Sequence, residues 1–453
     1  MRTVRATGEA SDSMTNRLAV VGGGILGAAI AREVLRRYPD TEVTLFEKEH
    51  RLAAHQTGRN SGVVHAGLYY QPGSNKAVLC RRGVGLLEEF CAEHGIKRIT
   101  CGKVLVALND EEKARLADIE RRALANGVPG VRIIGPRELA EIEPNVRGVA
   151  ALHSPSTSIV DFAAVTRALA DDAAAAGATI RLGHEVVRLR ITGAEVVVRV
   201  RTGTDDSSDT YEAAFDRVVA CAGLHSDRLA EMAGDGPDPV IMPFRGEYYA
   251  LKPERRDLVN GLVYPVPDPR YPFLGVHLTP RVDGEVLIGP NAVLALAREG
   301  YSWREFSGRD LAEVARTPAF WRFARRHWRT GVREMYGSGG SPACYRGGGP
   351  PTRALGRSPR RHWRTGVREM YGSLSRRRFI AGARAYVPQL RDDDVVPGRA
   401  GVRAQALDAD GGLVDDFRIG VRGPVVLLRN APSPAATSSL AIAEHVVDTV
   451  STL

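Results

Sequence analysis

The chain has 453 residues, 43% of them hydrophobic and 25% charged, with a formal net charge of +9. It is long enough to bury one large core or two ordinary ones, and too apolar for a disordered or low-complexity chain. No run approaches the about 18 uninterrupted apolar residues of a membrane span, and Met1 to Asn16 lack the basic start and apolar block of a secretory signal.

A cytoplasmic protein of two domains is therefore expected, with Met14 available as an alternative start ahead of the first strand. Cys80, Cys91, Cys101, Cys221 and Cys344 are odd in number and contain no Cys-x-x-Cys. They read as reduced thiols, with neither a disulfide framework nor a metal-binding spacing.

Leu18 to Val21 form a short apolar strand, and Gly22, Gly24 and Gly27 follow as Gly-x-Gly-x-x-Gly before a helix that buries Leu26, Ala29, Ile30 and Val34. The first glycine permits a tight turn, the second lets backbone approach a pyrophosphate, and the third lets helix and strand pack closely. The helix then offers free N–H groups and a partial positive charge to the anion. A second strand, Glu42 to Glu47, ends on an acidic residue twenty positions past Gly27, where it can accept from an adenosine ribose. Together these make a dinucleotide site.

An NAD-binding unit would continue with another plain strand and helix. Ala54-His-Gln-Thr-Gly-Arg-Asn-Ser-Gly-Val-Val-His-Ala-Gly-Leu-Tyr-Tyr is instead a polar, glycine-punctuated loop, as expected if backbone wraps a larger extended cofactor. Gly58, Arg59, Asn60 and Ser61 would offer donors to pyrophosphate and ribityl oxygens. This run resembles the glycine/D-amino-acid oxidase (DAO) superfamily of FAD enzymes, and within it the L-2-hydroxyglutarate dehydrogenases and oxidases.

Helices over Ala77 to His94 and Asp110 to Asn126 flank a strand from Lys103 to Leu108. A helix over Asp161 to Ala176 precedes strands Thr179 to Leu182, Glu185 to Ile191, which carries Val186, and Ala194 to Val200. Asp216 to Asp227 gives a buried strand ending in small residues, and it resembles the superfamily's second nucleotide-contacting segment, with Ala222 and Gly223 passing close to FAD. From Pro243 the pattern becomes alternating strands: Phe244 to Leu251, Phe273 to Thr279 and Gly284 to Ala292. A mainly antiparallel sheet is expected there, the usual substrate wall of the superfamily. Trp303 to Tyr336 reads as helical cover.

Arg325 to Ser338 recurs unchanged from Arg360 to Ser373, and the stretch between the copies is rich in Gly, Pro and Arg. One perfect copy is no solenoid. Residues 339–373 read as an inserted low-complexity segment, and its seven Arg against one Glu carry a net +6, leaving +3 for the rest of the chain. A nucleic-acid role loses its electrostatic basis accordingly.

Late strands over Gly401 to Leu407 and Leu413 to Ile419 lead to Leu428 to Leu440, which opens a final helix. The resemblance implies that Asn430, Pro432 and Ser433 lie at the flavin and that this helix points at its ring. The expected architecture is α/β: a Rossmann-like FAD-binding domain of the DAO/glutathione-reductase type (14–85, 150–238 and 395–453) and a second, mainly antiparallel β substrate domain (86–149 and 239–394).

No second glycine motif for NAD(P)H occurs, so electrons should come from the substrate itself. For a 2-hydroxy acid, hydride leaves the α-carbon for flavin N5, a base takes the hydroxyl proton and a fixed cation holds the carboxylate. His suits the base. Either His65, which follows the flavin loop, or His277, on the substrate sheet, is the candidate, whereas His55 and His225 are assigned to cofactor or solvent. Arg403 matches the position where the superfamily places its carboxylate-binding arginine. Arg245 with Tyr249, four apart on one strand and so on one face, is the candidate pair for a second carboxylate.

The resemblance implies oxidation of L-2-hydroxyglutarate to 2-oxoglutarate, with oxygen or a quinone as acceptor. A quinone would require peripheral docking on the inner face of the membrane. The alternatives are an amine or amino-acid oxidase of the same superfamily, and a flavin-binding protein inactivated by the insert.

Overall fold

The computed structural model describes residues 17–203, 209–268, 275–326 and 376–452. The leading residues with Met14, Cys344 and the insert at 339–373 lie outside them.

The glycine turn sits at the centre of a six-stranded sheet. Strand Arg17–Val21 pairs in parallel with Glu42–Glu47 on one side and Arg217–Ala220 on the other. Thr179–Leu182 extends the first flank, and the hairpin Arg418–Arg422/Val425–Asn430 extends the second. Helix Ile25–Arg37 packs on one face between helices Phe162–Ala175 and Ser439–Ser451. Its inner surface is built from Gly27, Ala28, Ala29 and Ala31, whose small side chains let three helices approach closely, while Leu26 is only partly buried. A three-stranded antiparallel sheet, His184–Thr192, Glu195–Thr202 and Thr210–Phe215, covers the other face.

The second layer system is a nine-stranded sheet. It is antiparallel except where Leu262–Pro265 runs parallel to Lys103–Ala107. Its longest pair is Val240–Leu251 with Val395–Leu407. Strand Ala150–Ser154 also belongs to it, paired with Lys103–Ala107. Two expected domain boundaries therefore move: 150–154 and 395–407 are substrate-sheet strands, because their partners lie there.

Three local expectations also change. Leu413 to Ile419 is no strand: Leu413 makes a single bridge to Leu407, Asp415 and Asp416 bond to Lys76, and the strand starts at Arg418. The last helix begins at Ser439, so Pro432 and Ser433 lie in the turn before it. Trp303 lies in a turn, with helix only from Gly308.

Candidate active site

A cavity of about 1270 Å³ runs from the glycine turn to the inner face of the nine-stranded sheet. At its nucleotide end Gly22 adopts φ +112°, closed to side-chain-bearing residues at little cost, and a Cβ there would lie 2.5 Å from the Cys221 carbonyl. Gly24 faces the cavity, with Thr57 Oγ1 the nearest atom to a hypothetical Cβ. Gly27 does not line the cavity; its missing Cβ would fall 1.9 Å from the Gly22 carbonyl oxygen, so it sets the helix against the turn.

Gly27→Ala is therefore expected to yield protein with about a tenth or less of the wild-type flavin, because backbone cannot give way as a side chain can. The flavin-to-protein absorbance ratio after purification checks it. Full flavin content would mean that the turn relaxes freely.

Glu47 is buried and lines the cavity, accepting from Gly23 N at 2.6 Å and Glu49 N at 2.9 Å. Each carboxylate oxygen keeps a free lone pair for a ribose hydroxyl.

The loop residues divide. Arg59, Asn60 and Ser61 line the cavity, but Gly58 does not: a Cβ there would meet the Ala53 carbonyl at 2.3 Å, so this glycine is required by the loop's own turn. Asn60 is turned inward, donating to the Thr57 carbonyl at 2.7 Å and accepting from Gly62 N at 2.8 Å. It shapes the loop. Arg59 lies with its guanidinium carbon 3.7 Å from the Tyr301 ring centroid. Val186, Ala222, Gly223, Pro432 and Ser433 all line the cavity. So does Asn430, whose amide donates to the Val414 and Asp416 carbonyls and ties the preceding loop to the strand end.

A cluster not foreseen from sequence closes this end. Lys48 Nζ lies 2.5 Å from Glu49 and 2.8 Å from Glu299, with His55 and His225 also on Glu299. Burial would raise the Glu299 carboxyl, yet hydrogen bonding from His225 and the charges of His55 and Lys48 hold it at about 2. Glu49, His55 and Glu299 could together contact a metal ion, but Lys48 supplies their cation. Only the three-dimensional fold brings residues 48–55 to residue 299, so no sequence signal marks the cluster.

At the far end His65, His277, Arg403, Tyr248 and Tyr264 converge. His277 is buried at the start of strand His277–Pro280, stacked 3.9 Å from Tyr264, with Nδ1 2.8 Å from the Gly275 carbonyl. A carbonyl only accepts, so Nδ1 carries the proton and Nε2 keeps its lone pair. Burial, then the charges of Lys103 and Arg403, push the imidazole down to about 3. His65 is likewise held at about 3, by burial and by Lys103, His277 and Lys76; its Nε2 lies 3.2 Å from Ser433 Oγ. Arg403 hydrogen-bonds Tyr248.

Arg245 and Tyr249 do not belong to this group. Regular alternation along Val240–Leu251 puts them on one face, as expected, but it is Gly246 and Tyr248 on the opposite face that line the cavity; the bulge in the ladder places its extra residue in Val395–Leu407. Tyr248 thus lines the cavity, while Tyr249 packs edge-on against Phe379 in the outer core. Arg245 is fully buried away from the cavity, 4.1 Å over the Trp303 ring with Nη2 3.0 Å from Glu247.

A parallel sheet that presents a glycine turn to one end of a cavity, and an antiparallel sheet that presents histidine and arginine to the other, define a dinucleotide-dependent oxidoreductase. The chain belongs to the DAO family of FAD dependent oxidoreductases, whose model matches residues 17–449. It is 40% identical over 447 residues to the mitochondrial L-2-hydroxyglutarate dehydrogenase of Homo sapiens, covering 96% of this chain and 88% of that protein. With L-2-hydroxyglutarate dehydrogenase of Escherichia coli K12 the identity is 41% over 434 residues, covering 96% and 93%. Among solved structures, the FAD-bound L-α-glycerophosphate oxidase of Mycoplasma pneumoniae superposes with a TM-score of 0.70 at 22% identity, covering 96% and 94% of the two chains.

FAD is thus the cofactor. The residues fit it: Gly22, Gly24 and the amino end of helix Ile25–Arg37 would hold its pyrophosphate, and Glu47 its adenosine ribose, because a hydrogen-bond-accepting carboxylate beside an open turn suits that half of the molecule.

Proposed function

We infer that the protein oxidises L-2-hydroxyglutarate to 2-oxoglutarate. The observation that carries this reading is the pairing, on one cavity wall, of a buried histidine whose Nε2 is unprotonated with the arginine at position 403. The near full-length likeness to proteins named for this substrate supports it.

The reaction removes a proton from the hydroxyl and a hydride from the α-carbon. FAD, when bound, supplies the two-electron acceptor. His277 Nε2 takes the hydroxyl proton, while the Nδ1–H bond to Gly275 keeps the ring in the accepting tautomer and orientation. Arg403 holds the α-carboxylate through its planar fork, braced by Tyr248. His65, on the adjacent wall, orients the hydroxyl with Ser433.

Among the described residues no helix is long and apolar enough to cross a membrane. We place the reaction in the cytoplasm, with electrons leaving to oxygen or to a quinone reached by peripheral contact with the inner face of the membrane; no nucleic acid takes part.

Under anaerobic conditions, L-2-hydroxyglutarate is expected to bleach the flavin stoichiometrically, while D-2-hydroxyglutarate and glycine leave it yellow. Bleaching by glycine alone would favour an amine oxidase, and a flavin that no acid reduces would mean an inactive binding protein.

A further inference from the structure

A five-carbon diacid needs two positive charges at the site, one for each carboxylate, and Arg403 accounts for one. Arg245 is sealed away from the cavity. Lys76 lines it but is committed to Asp415 at 2.8 Å.

Lys103, at the start of strand Lys103–Ala107, stands in a different position. The residue is 3% exposed, on the strand face whose Leu105 and Ala107 pack in the apolar cluster that also holds Tyr69 and Tyr264. Nζ lies 3.7 Å from the Tyr264 ring centroid and 5.0 Å from that of Tyr69, and both rings line the cavity. Among the described residues it pairs with no carboxylate, and burial alone displaces its ammonium, down to about 7. The titratable groups around it are His65, His277, Tyr69 and Tyr264, with Arg403 beyond His277. None is an anion at neutral pH.

An ammonium left without a counter-charge behind two aromatic rings costs stability, and a chain selected for folding alone would fill this place with an apolar side chain. Its field nonetheless reaches both histidines of the cavity wall, so it would reach an anion bound in the cavity beside them. We propose that Lys103 is a specificity-determining residue, supplying through the Tyr69 and Tyr264 rings the second positive charge that selects an aliphatic dicarboxylate over a monocarboxylate. The proposal rests on the substrate reading above and names the group that recognises the distal carboxylate.

Glutarate and pentanoate, which carry no α-hydroxyl and cannot be oxidised there, separate this claim from the claim about the reaction. Each is titrated into the FAD-loaded protein and followed by the perturbation of the flavin spectrum. Lys103→Met is expected to weaken glutarate binding roughly ten- to thirtyfold, the effect of one charge at this range in a medium of intermediate dielectric, and to leave pentanoate unchanged. Equal effects on the two ligands, or none on either, would overturn the proposal.

Should the methionine variant fail to hold flavin, the wild-type protein decides. Lys103 is charged below about pH 7 and neutral above it, so the preference for glutarate over pentanoate is expected to fall from pH 6 to pH 9. A flat ratio would remove Lys103 from recognition. If glutarate binds in a Lys103-dependent way while L-2-hydroxyglutarate fails to bleach the flavin, the reaction assignment fails and the diacid site stands.

Discussion

Replacing Arg403 by Lys is expected to raise KM for L-2-hydroxyglutarate by roughly 30- to 100-fold in a protein that purifies with its flavin. A hydrogen bond to a charged group contributes about 1.5–3 kcal/mol, and lysine keeps the charge while losing the planar two-point contact. Arg403 sits on strand Val395–Leu407, opposite Phe244, and lines the cavity at the substrate end, far along the chain from the turn that holds the nucleotide. Flavin content should therefore be unchanged, and glutarate should weaken in parallel with the substrate. Unchanged kinetics would take Arg403 out of the site, and loss of flavin would recast it as a structural residue.

The features legible in the sequence were those whose cause is local. The turn at Gly22 to Gly27 needs glycine in part for reasons internal to it, the positive φ of Gly22 and the contact of Gly27 with the Gly22 carbonyl, and Glu47 follows at a distance set by one helix and one strand. The loop at 54–61 could be read as cofactor-lining because polar residues and glycines alternate there, although Gly58 and Asn60 serve the loop's own geometry.

Where the cause is a pairing between distant strands, the sequence carries no local mark of it. The four-residue spacing of Arg245 and Tyr249 does put them on one face of their strand, but which face meets the cavity is decided by the packing of the whole sheet, and it is the face of Gly246 and Tyr248. The pairing with Val240–Leu251 moves residues 395–407 from the nucleotide domain to the substrate sheet. Lys103 carries no such mark for a related reason: a lysine opening a strand reads as a solvated end, and its burial depends on Leu262–Pro265 and Ala150–Ser154 lying on either side. The cluster of Lys48, Glu49 and His55 likewise meets Glu299, far along the chain, only through the fold.

His277 is the residue whose loss should cost turnover most. The informative variant is His277→Asn, because the asparagine amide can still donate to the Gly275 carbonyl where Nδ1 does, while nothing replaces Nε2. General-base catalysis of this kind contributes about 10²- to 10⁴-fold, so kcat should fall by that factor with flavin content and glutarate binding near wild type. The wild-type pH profile provides a second check. With the imidazole held at about 3, the neutral form that accepts a proton persists far below the ordinary histidine range, so His277 contributes no acidic limb near pH 6.5 to kcat/KM. The same depression has a sign for stability: the unfolded chain protonates this histidine below about pH 6.5 and the folded protein does not until about pH 3, so stability is lost as pH falls between the two. His65→Asn is the control. His65 shares the depression but has Ser433 Oγ on its Nε2, and its variant should lose less turnover than His277→Asn. The reverse order would transfer the base to His65 and leave His277 as a wall residue stacked on Tyr264.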